Sequence, residues 1–175
     1  GREGGGRPWF NMAKAAETLE RVILHHAREI VGAERRDLHF QLGSARAREG
    51  KPDKAASSFE RALEVDPSFR PALEALASLS KGRGNPDRTR QAKLKLAELA
   101  EGEGRAKLLE EIGDLEAGEL AEVPAAMETY ESALRVDGIP DPLQRRILHK
   151  LLDLYTQGVA TGEREHRADA VRLSS

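Results

Sequence analysis

The sequence predicts an all-α fold, an α-solenoid of antiparallel helix pairs, and three observations predict it. An octapeptide occurs twice: Phe59 to Asp66 reads FERALEVD and Tyr130 to Asp137 reads YESALRVD, with five of eight positions identical. The copies start 71 residues apart, about two periods of a helix-pair repeat. Leu42-Gly43 recurs as Leu76-Ala77, and Gly50 recurs as Gly84, each 34 residues on. Apolar residues fall at helical spacing along the chain, and no segment reads as a convincing strand. Self-similarity of this kind lowers the odds of an enzyme, because repeat stacks mostly bind other proteins.

Each element can be placed in order. A first helix from about Trp9 to Val31 carries Ala16, Leu19, Val22, Ile23, Ala27 and Ile30 on a stripe, and Gly32 ends it. A second, about Glu34 to Glu49, turns Leu38, Leu42 and Ala45 inward. Pro52 opens a third at a position that tolerates a missing N–H. That helix presents Ala55, Phe59, Ala62 and Leu63 before Asp66-Pro67 stops it. Ser68 is expected to cap a fourth helix running to about Lys81. Asn85 and Pro86 start a fifth, to about Glu101. The sixth is expected over Arg105 to Ala117, the seventh over Pro124 to Val136. Asp141 and Pro142 open an eighth that ends near Gln157. The expected organisation is an N-terminal arm over residues 1–8, a repeat domain over 9–157 and a polar C-terminal tail over 158–175, weakly helical or disordered.

Composition agrees. The chain is 39% hydrophobic but only 4% aromatic, which suits helices packed through Ala and Leu. Its 28 basic and 30 acidic residues leave a net charge of −2. That balance supplies no general attraction to nucleic acid or to an anionic membrane. There are no cysteines, which excludes disulfides and thiolate chemistry. Apolar runs fall far short of a bilayer span, and no apolar signal region follows Gly1 to Arg7. The expected location is cytoplasmic.

The repeat pattern resembles the tetratricopeptide repeat (TPR). Counting from Arg36, the family's key places hold His39, Leu42-Gly43, Gly50, Ala55, Phe59, Ala62 and Pro67. Arg46 departs from the family's usual Tyr. Counting from Arg70, Leu73, Leu76, Ala77 and Gly84 fit, but Thr89, Lys93 and Leu96 replace the small, aromatic and small residues. Counting from Ala106, Leu109, Ile112-Gly113, Ala126, Tyr130 and Ala133 fit with one inserted loop residue. Arg146 to Tyr155 resembles the first helix of a fourth repeat, and Ala16 to Ile23 the second helix of an earlier one. The resemblance covers roughly Ala13 to Gln157. It implies a right-handed solenoid of about three full repeats plus flanking helices, a fragment of a larger bacterial-type TPR protein.

The same resemblance implies a protein–protein interaction scaffold that binds a peptide or protein segment in a concave groove lined by the first helix of each repeat. Carried over by position, the groove residues are Asp37, Phe40, Ser44, Ala47 and Arg48 in the first complete repeat. Glu74, Ser78 and Lys81 follow in the next, then Lys107, Glu110 and Asp114. Phe40 and Ser44 stand where chaperone-binding members carry Lys and Asn, so a carboxylate clamp of that kind is not expected. The alternative is a structural spacer or self-association segment of a larger array with no ligand of its own.

Other chemistry finds no support, residue by residue. His25 and His26 point about 100° apart on a helix and chelate poorly together. His25 with Glu29 offers only two ligands, and Glu163 with His166 is a lone Glu-x-x-His. Gly82-Arg83-Gly84 and Gly102-Glu103-Gly104 lack the strand and the spacing of a phosphate loop. No metal, cofactor or catalytic group is expected. Arg83, Arg88, Arg90, Lys93 and Lys95 cluster with only Asp87 opposing them locally, a solvated face or a patch for an acidic partner. No aromatics interleave with them, which argues against single-stranded nucleic acid. The eighth helix is apolar on more than one stripe, so Leu152 or Tyr155 is expected to stay exposed, either as the face of a fragment whose next helix is missing or altered or as a surface that docks a partner or a second copy.

Overall fold

A computed structural model describes the backbone of residues 8–173 and the side chains of residues 14–158. The arm expected over residues 1–8 lies almost wholly outside that range. Among the described residues the secondary structure is eight α-helices. The chain forms two compact units, residues 1–95 and 96–175.

Unit 1 contains α1 (Pro8–His25), α2 (Gly32–Arg48), α3 (Pro52–Val65), α4 (Arg70–Gly82) and most of α5 (Pro86–Glu98). A proline stands at the first or second helical position of α3 and α4, where its fixed φ suits a helix start. The end of α2 explains the recurrence of Gly50. Gly50 has φ +70°. Its N–H donates to the carbonyl of Ala47 at 3.1 Å, and the N–H of Lys51 donates to Arg46 at 2.9 Å. This is the paired Schellman closure, which needs a left-handed residue that glycine adopts without strain. Gly84 repeats it after α4, with bonds to Lys81 and from Asn85 to Ser80, both 3.0 Å.

Two apolar clusters fill unit 1. Ala16 of α1 packs with Leu42 and Ala45 of α2. Ala55, Phe59 and Ala62 of α3 pack with Ala72 and Leu76 of α4, and Ala92 of α5 joins them. Arg46 explains its departure from the family pattern. It is largely buried and ties three helices together, donating to Glu20 of α1 at 2.7 Å and to Ser58 of α3 at 2.8 Å.

Unit 2 contains α6 (Gly102–Ala117), α7 (Val123–Leu134) and α8 (Asp141–Leu173). Its core joins Leu109 and Ile112 of α6, Tyr130 of α7, and Ile147 and Leu151 of α8. The loop from α6 to α7 holds Ala121 at φ +54°. Backbone bonds from Leu120 to Leu115 and from Glu122 to Glu116 close it.

Several boundaries differ from those read in the sequence. α1 stops at His25, and residues 26–29 form a turn closed by Ile30 N–H donating to His26. The apolar stripe alone could not show that break. Ser68 does not cap α4: Phe69 holds that place, and the N–H of Ser68 instead donates to the Asp66 carboxylate at 3.0 Å. An Asp-Pro-Ser turn competes for the same groups and wins. Asn85 does cap α5, accepting from the N–H of Arg88 at 3.1 Å. The backbone of α8 continues past Gln157 to Leu173, through the stretch read as a tail.

Candidate functional site

In unit 1 the first helices of two repeats, α2 and α4, frame a cleft of 580 Å³. Ser44, Ala47 and Arg48 line it from α2, and Ser78 lines it from α4. These are four of the residues expected there. On α2 they fall at i, i+3 and i+4, one face of a helix. Small side chains keep the cleft open. The Ser44 hydroxyl donates to the Phe40 carbonyl at 3.0 Å, which leaves its lone pairs for an incoming donor. Arg83 stands at the end of α4. Among the described residues, the cleft lining carries the guanidinium groups of Arg48 and Arg83 and no carboxylate.

The remaining unit 1 candidates sit elsewhere. Phe40 is not a cleft residue. Its ring lies 5.6 Å from that of Phe59 and 5.4 Å, edge-on, from that of Phe69, so it packs α2 against α3 and the turn before α4. Arg36 covers the other side of that cluster, 4.3 Å from the Phe69 centroid. Asp37 accepts from Arg36 at 2.8 Å, and Asp66 accepts from it at 3.0 Å. Those bonds, to Asp37 first and then Asp66, raise the Arg36 pKa further above its ordinary value. Glu74 and Lys81 are exposed on α4 and do not line the cleft. Phe59, Ala75, Leu79, Gly82 and Arg83 complete the lining. Ala75, Leu79 and Gly82 flank Ser78 at i−3, i+1 and i+4, which helical spacing could have shown.

In unit 2 the expected groove carboxylates already have partners. Glu110 is 7% exposed and takes a bidentate pair from Arg146 of α8 at 2.6 and 2.7 Å. Lys150 bonds Glu110 at 2.8 Å and Asp114 at 2.7 Å. The Tyr130 hydroxyl donates to Asp114 at 2.7 Å. Hydrogen bonds from Arg146 pull the Glu110 pKa down to about 2, overcoming the opposing effect of burial. Burial, and then donation to Asp114, pushes the Tyr130 pKa well up. For Lys150, burial opposes the charge, but bonds to Asp114 and Glu110 outweigh it and raise the pKa. Lys107 pairs with Glu103 on its own helix at 2.6 Å. This network fastens α8 to α6.

The basic cluster is largely neutralised across helices. Arg83 bonds Asp53, Arg88 bonds Glu60, and Arg90 bonds Asp87 at 3.3 Å. The first two carboxylates lie on α3, some thirty residues upstream, where a local charge tally does not reach. Lys93 is half-buried and has an electrostatic or hydrogen-bond partner of its own. Lys95 is exposed beside Arg88 in a second cleft.

Leu148, Leu152 and Tyr155 of α8 are 44%, 50% and 45% exposed. They recur at i, i+4 and i+7 and form one exposed row. Leu148 thus joins the Leu152 and Tyr155 expected from the sequence. The Tyr155 hydroxyl donates to Glu131 at 3.0 Å, which raises its pKa. His39 is buried, and its Nδ1 has no hydrogen-bond partner. Burial, and then the nearby Arg35 and Arg61, lower its pKa. His26 pairs with Glu29 at 2.9 Å in the turn after α1, so His25 and Glu29 do not share a helix face. Among the described residues no three metal-ligating side chains come together. The Glu163–His166 pair lies outside the described side chains. No helix among the described residues is long and apolar enough to cross a membrane.

Comparison with known proteins agrees with this architecture. Residues 36–79 match the tetratricopeptide repeat family. No curated protein matches the sequence. A crystal structure of nearly identical TPR-like repeats, from a Podosopora anserina chain described as a putative kinesin light chain, superposes with a TM-score of 0.56 at 17% identity. The alignment covers 92% of this chain and 85% of that one. A second crystal structure, of a point variant of the same repeats, gives a TM-score of 0.53 with the same identity and coverage. At that identity the likeness concerns the fold. TPR repeats are in general protein-interaction scaffolds, and a fold of this kind is typically non-catalytic. The chain therefore carries a tetratricopeptide repeat at residues 36–79 and has the all-helical fold of TPR-like repeats.

Proposed function

We propose that the protein is an interaction scaffold and that the α2–α4 cleft of unit 1 binds a peptide or protein segment. One observation carries this reading. Ser44, Ala47, Arg48 and Ser78, placed by the repeat pattern on two separate helices, line a single 580 Å³ cleft. A space of that size holds two or three side chains of an extended segment. The lining offers hydroxyls, a small apolar floor and the Arg48 guanidinium, beside an Arg83 already paired with Asp53, so the segment it favours carries a carboxylate beside small apolar residues.

The test is fluorescence anisotropy with labelled decapeptides of matched length that are acidic, neutral or basic. The acidic peptides bind, and the double variant Ala47→Arg with Ser78→Arg weakens them at least tenfold. Equal binding of basic peptides, or unchanged binding by the variant, overturns the reading. Phe40→Ala is a poor probe here, because it also removes packing from the core.

A second reading, self-association through α8, draws on the exposed row of Leu148, Leu152 and Tyr155. On that view the chain is a structural or assembly segment and the cleft has no ligand.

A further inference from the structure

Unit 1 has a second cleft, of 340 Å³, that shares no lining residue with the first. It lies between α3 and α5 over α4. Leu63 of α3, Leu73 and Leu76 of α4 and Ala92 of α5 form an apolar floor. The walls are charged with opposite signs: Glu60 and Glu64 stand on α3, and Arg88 and Lys95 on α5. The Arg88–Glu60 ion pair joins the walls. Glu64 lies one turn further along α3, and Lys95 two turns beyond Arg88 along α5.

The composition of α5 accounts for the opening. Toward α3 it sets the long polar side chains of Arg88, Gln91 and Lys95, and only the methyl group of Ala92 reaches the floor. Leu63 is thus left half-buried at a space that none of the described residues fills, with Leu73 and Leu76 buried beneath it. The volume is near the lower end of ligand sites, which run from about 300 to 1,000 Å³, and suits one or two bulky side chains. An apolar small molecule would use the floor and ignore the walls. A segment with charges of both signs beside an apolar residue uses all three.

We propose that this α3–α5 cleft is a second docking site, taking a peptide segment in which bulky apolar residues lie between a basic and an acidic residue. The cation meets Glu64, the anion meets Lys95, the Arg88–Glu60 pair stays closed between them, and the apolar side chains rest against Leu63. The proposal is independent of the α2–α4 cleft.

Three fluorescein-labelled synthetic peptides test it on the full chain: Lys-Lys-Leu-Phe-Glu-Glu, Lys-Lys-Leu-Phe-Lys-Lys and Glu-Glu-Leu-Phe-Glu-Glu. The wild-type chain binds the mixed-charge peptide at least tenfold more tightly than the other two, and replacing Leu-Phe by Ser-Ser abolishes binding. Lys95→Glu moves the preference to the all-basic peptide, and Glu64→Lys moves it to the all-acidic one. Neither side chain belongs to the buried core, and circular dichroism checks that the variants stay helical. Ala47→Arg with Ser78→Arg leaves the mixed-charge peptide unaffected, which separates this site from the first cleft. No binding by the wild type, no shift of preference in the charge variants, or loss in the Ala47/Ser78 variant overturns the proposal.

Discussion

A methyl group on Gly43 would stand 2.6 Å from Cδ1 of the Phe59 ring. Gly113 stands in the same relation to Tyr130, 2.7 Å from its Cδ1. Both rings are buried, so neither can swing aside. The aromatic of the repeated octapeptide is therefore half of a contact whose other half is a glycine on the preceding helix. Gly43→Ala and Gly113→Ala should each destabilise the protein by about 1–3 kcal/mol through overpacking. Gly104→Ala is the control, because nothing lies within 4 Å of its added carbon in α6. It should stabilise by roughly 0.5–1 kcal/mol. Urea denaturation followed by circular dichroism reads all three.

Arg46 of α2 holds α1 against α2 and α3. Its guanidinium joins Glu20 to Ser58 while only 13% exposed. Arg46→Ala should cost about 1–3 kcal/mol, as expected for hydrogen bonds involving a charged group. The loss should be concentrated in α1. Hydrogen exchange should accelerate over residues 14–25, whereas the amides of α6 and α7 should be unchanged. Uniform acceleration across both units would refute a local role.

The repeat architecture was legible because its determinants are periodic. Gly50 and Gly84 close helices by the same Schellman bonds and a 34-residue count finds them, while Phe59 and Tyr130, which each meet a glycine at the same place, are found by the repeated octapeptide 71 residues on. Ser44, Ala47, Arg48 and Ser78 were legible for the same reason. What stayed hidden were pairs set by the fold and not by the period. Arg146 meets Glu110, Arg83 meets Asp53 and Arg88 meets Glu60, each across two helices. Phe40 occupies a groove position by count, but Phe69, in the turn before α4, covers its ring. No property of the α2 sequence announces that neighbour.

Stability should fall in two steps as pH drops. His39 has a lowered pKa because burial and the nearby Arg35, Arg61 and Arg46 disfavour its charged form, with Glu64 opposing them. The unfolded chain thus binds a proton near pH 6.5 that the folded chain resists, and stability is full above about 6.5 and declines below it. Glu110 has a pKa depressed to about 2 by Arg146. Its contribution is present above the unfolded carboxylate value of about 4.3 and is lost as pH falls toward 2. After discounting for the half-exposed Arg146, that second loss is on the order of 2 kcal/mol. Urea midpoints across the pH range check both steps. His39→Leu should flatten the decline that begins below about 6.5, and Glu110→Gln should remove the one below about 4.5 while lowering stability at neutral pH.

The register of α8 gives the exposed row its meaning. Arg146 lies 36 residues after Glu110 and bonds it, and Lys150 lies 36 after Asp114 and bonds it. On that offset Leu148 and Leu152 correspond to Ile112 and Glu116 of α6. Ile112 is buried in the core shared with α7, and Glu116 accepts from Thr129 of α7 at 2.7 Å. Leu148 and Leu152 therefore stand where a first helix receives its second. His149 corresponds to Gly113, so an aromatic cannot approach there as Tyr130 does on α6. A covering helix must sit further out, as an unrelated surface or a second copy would. If a second copy covers the row, light scattering should show the wild-type mass rising with concentration while Leu152→Glu stays monomeric. Leu152 is half-exposed, so the variant should unfold at the same urea concentration as the wild type when both are dilute. A wild-type mass that stays constant, or a variant that still associates, would eliminate self-association through α8.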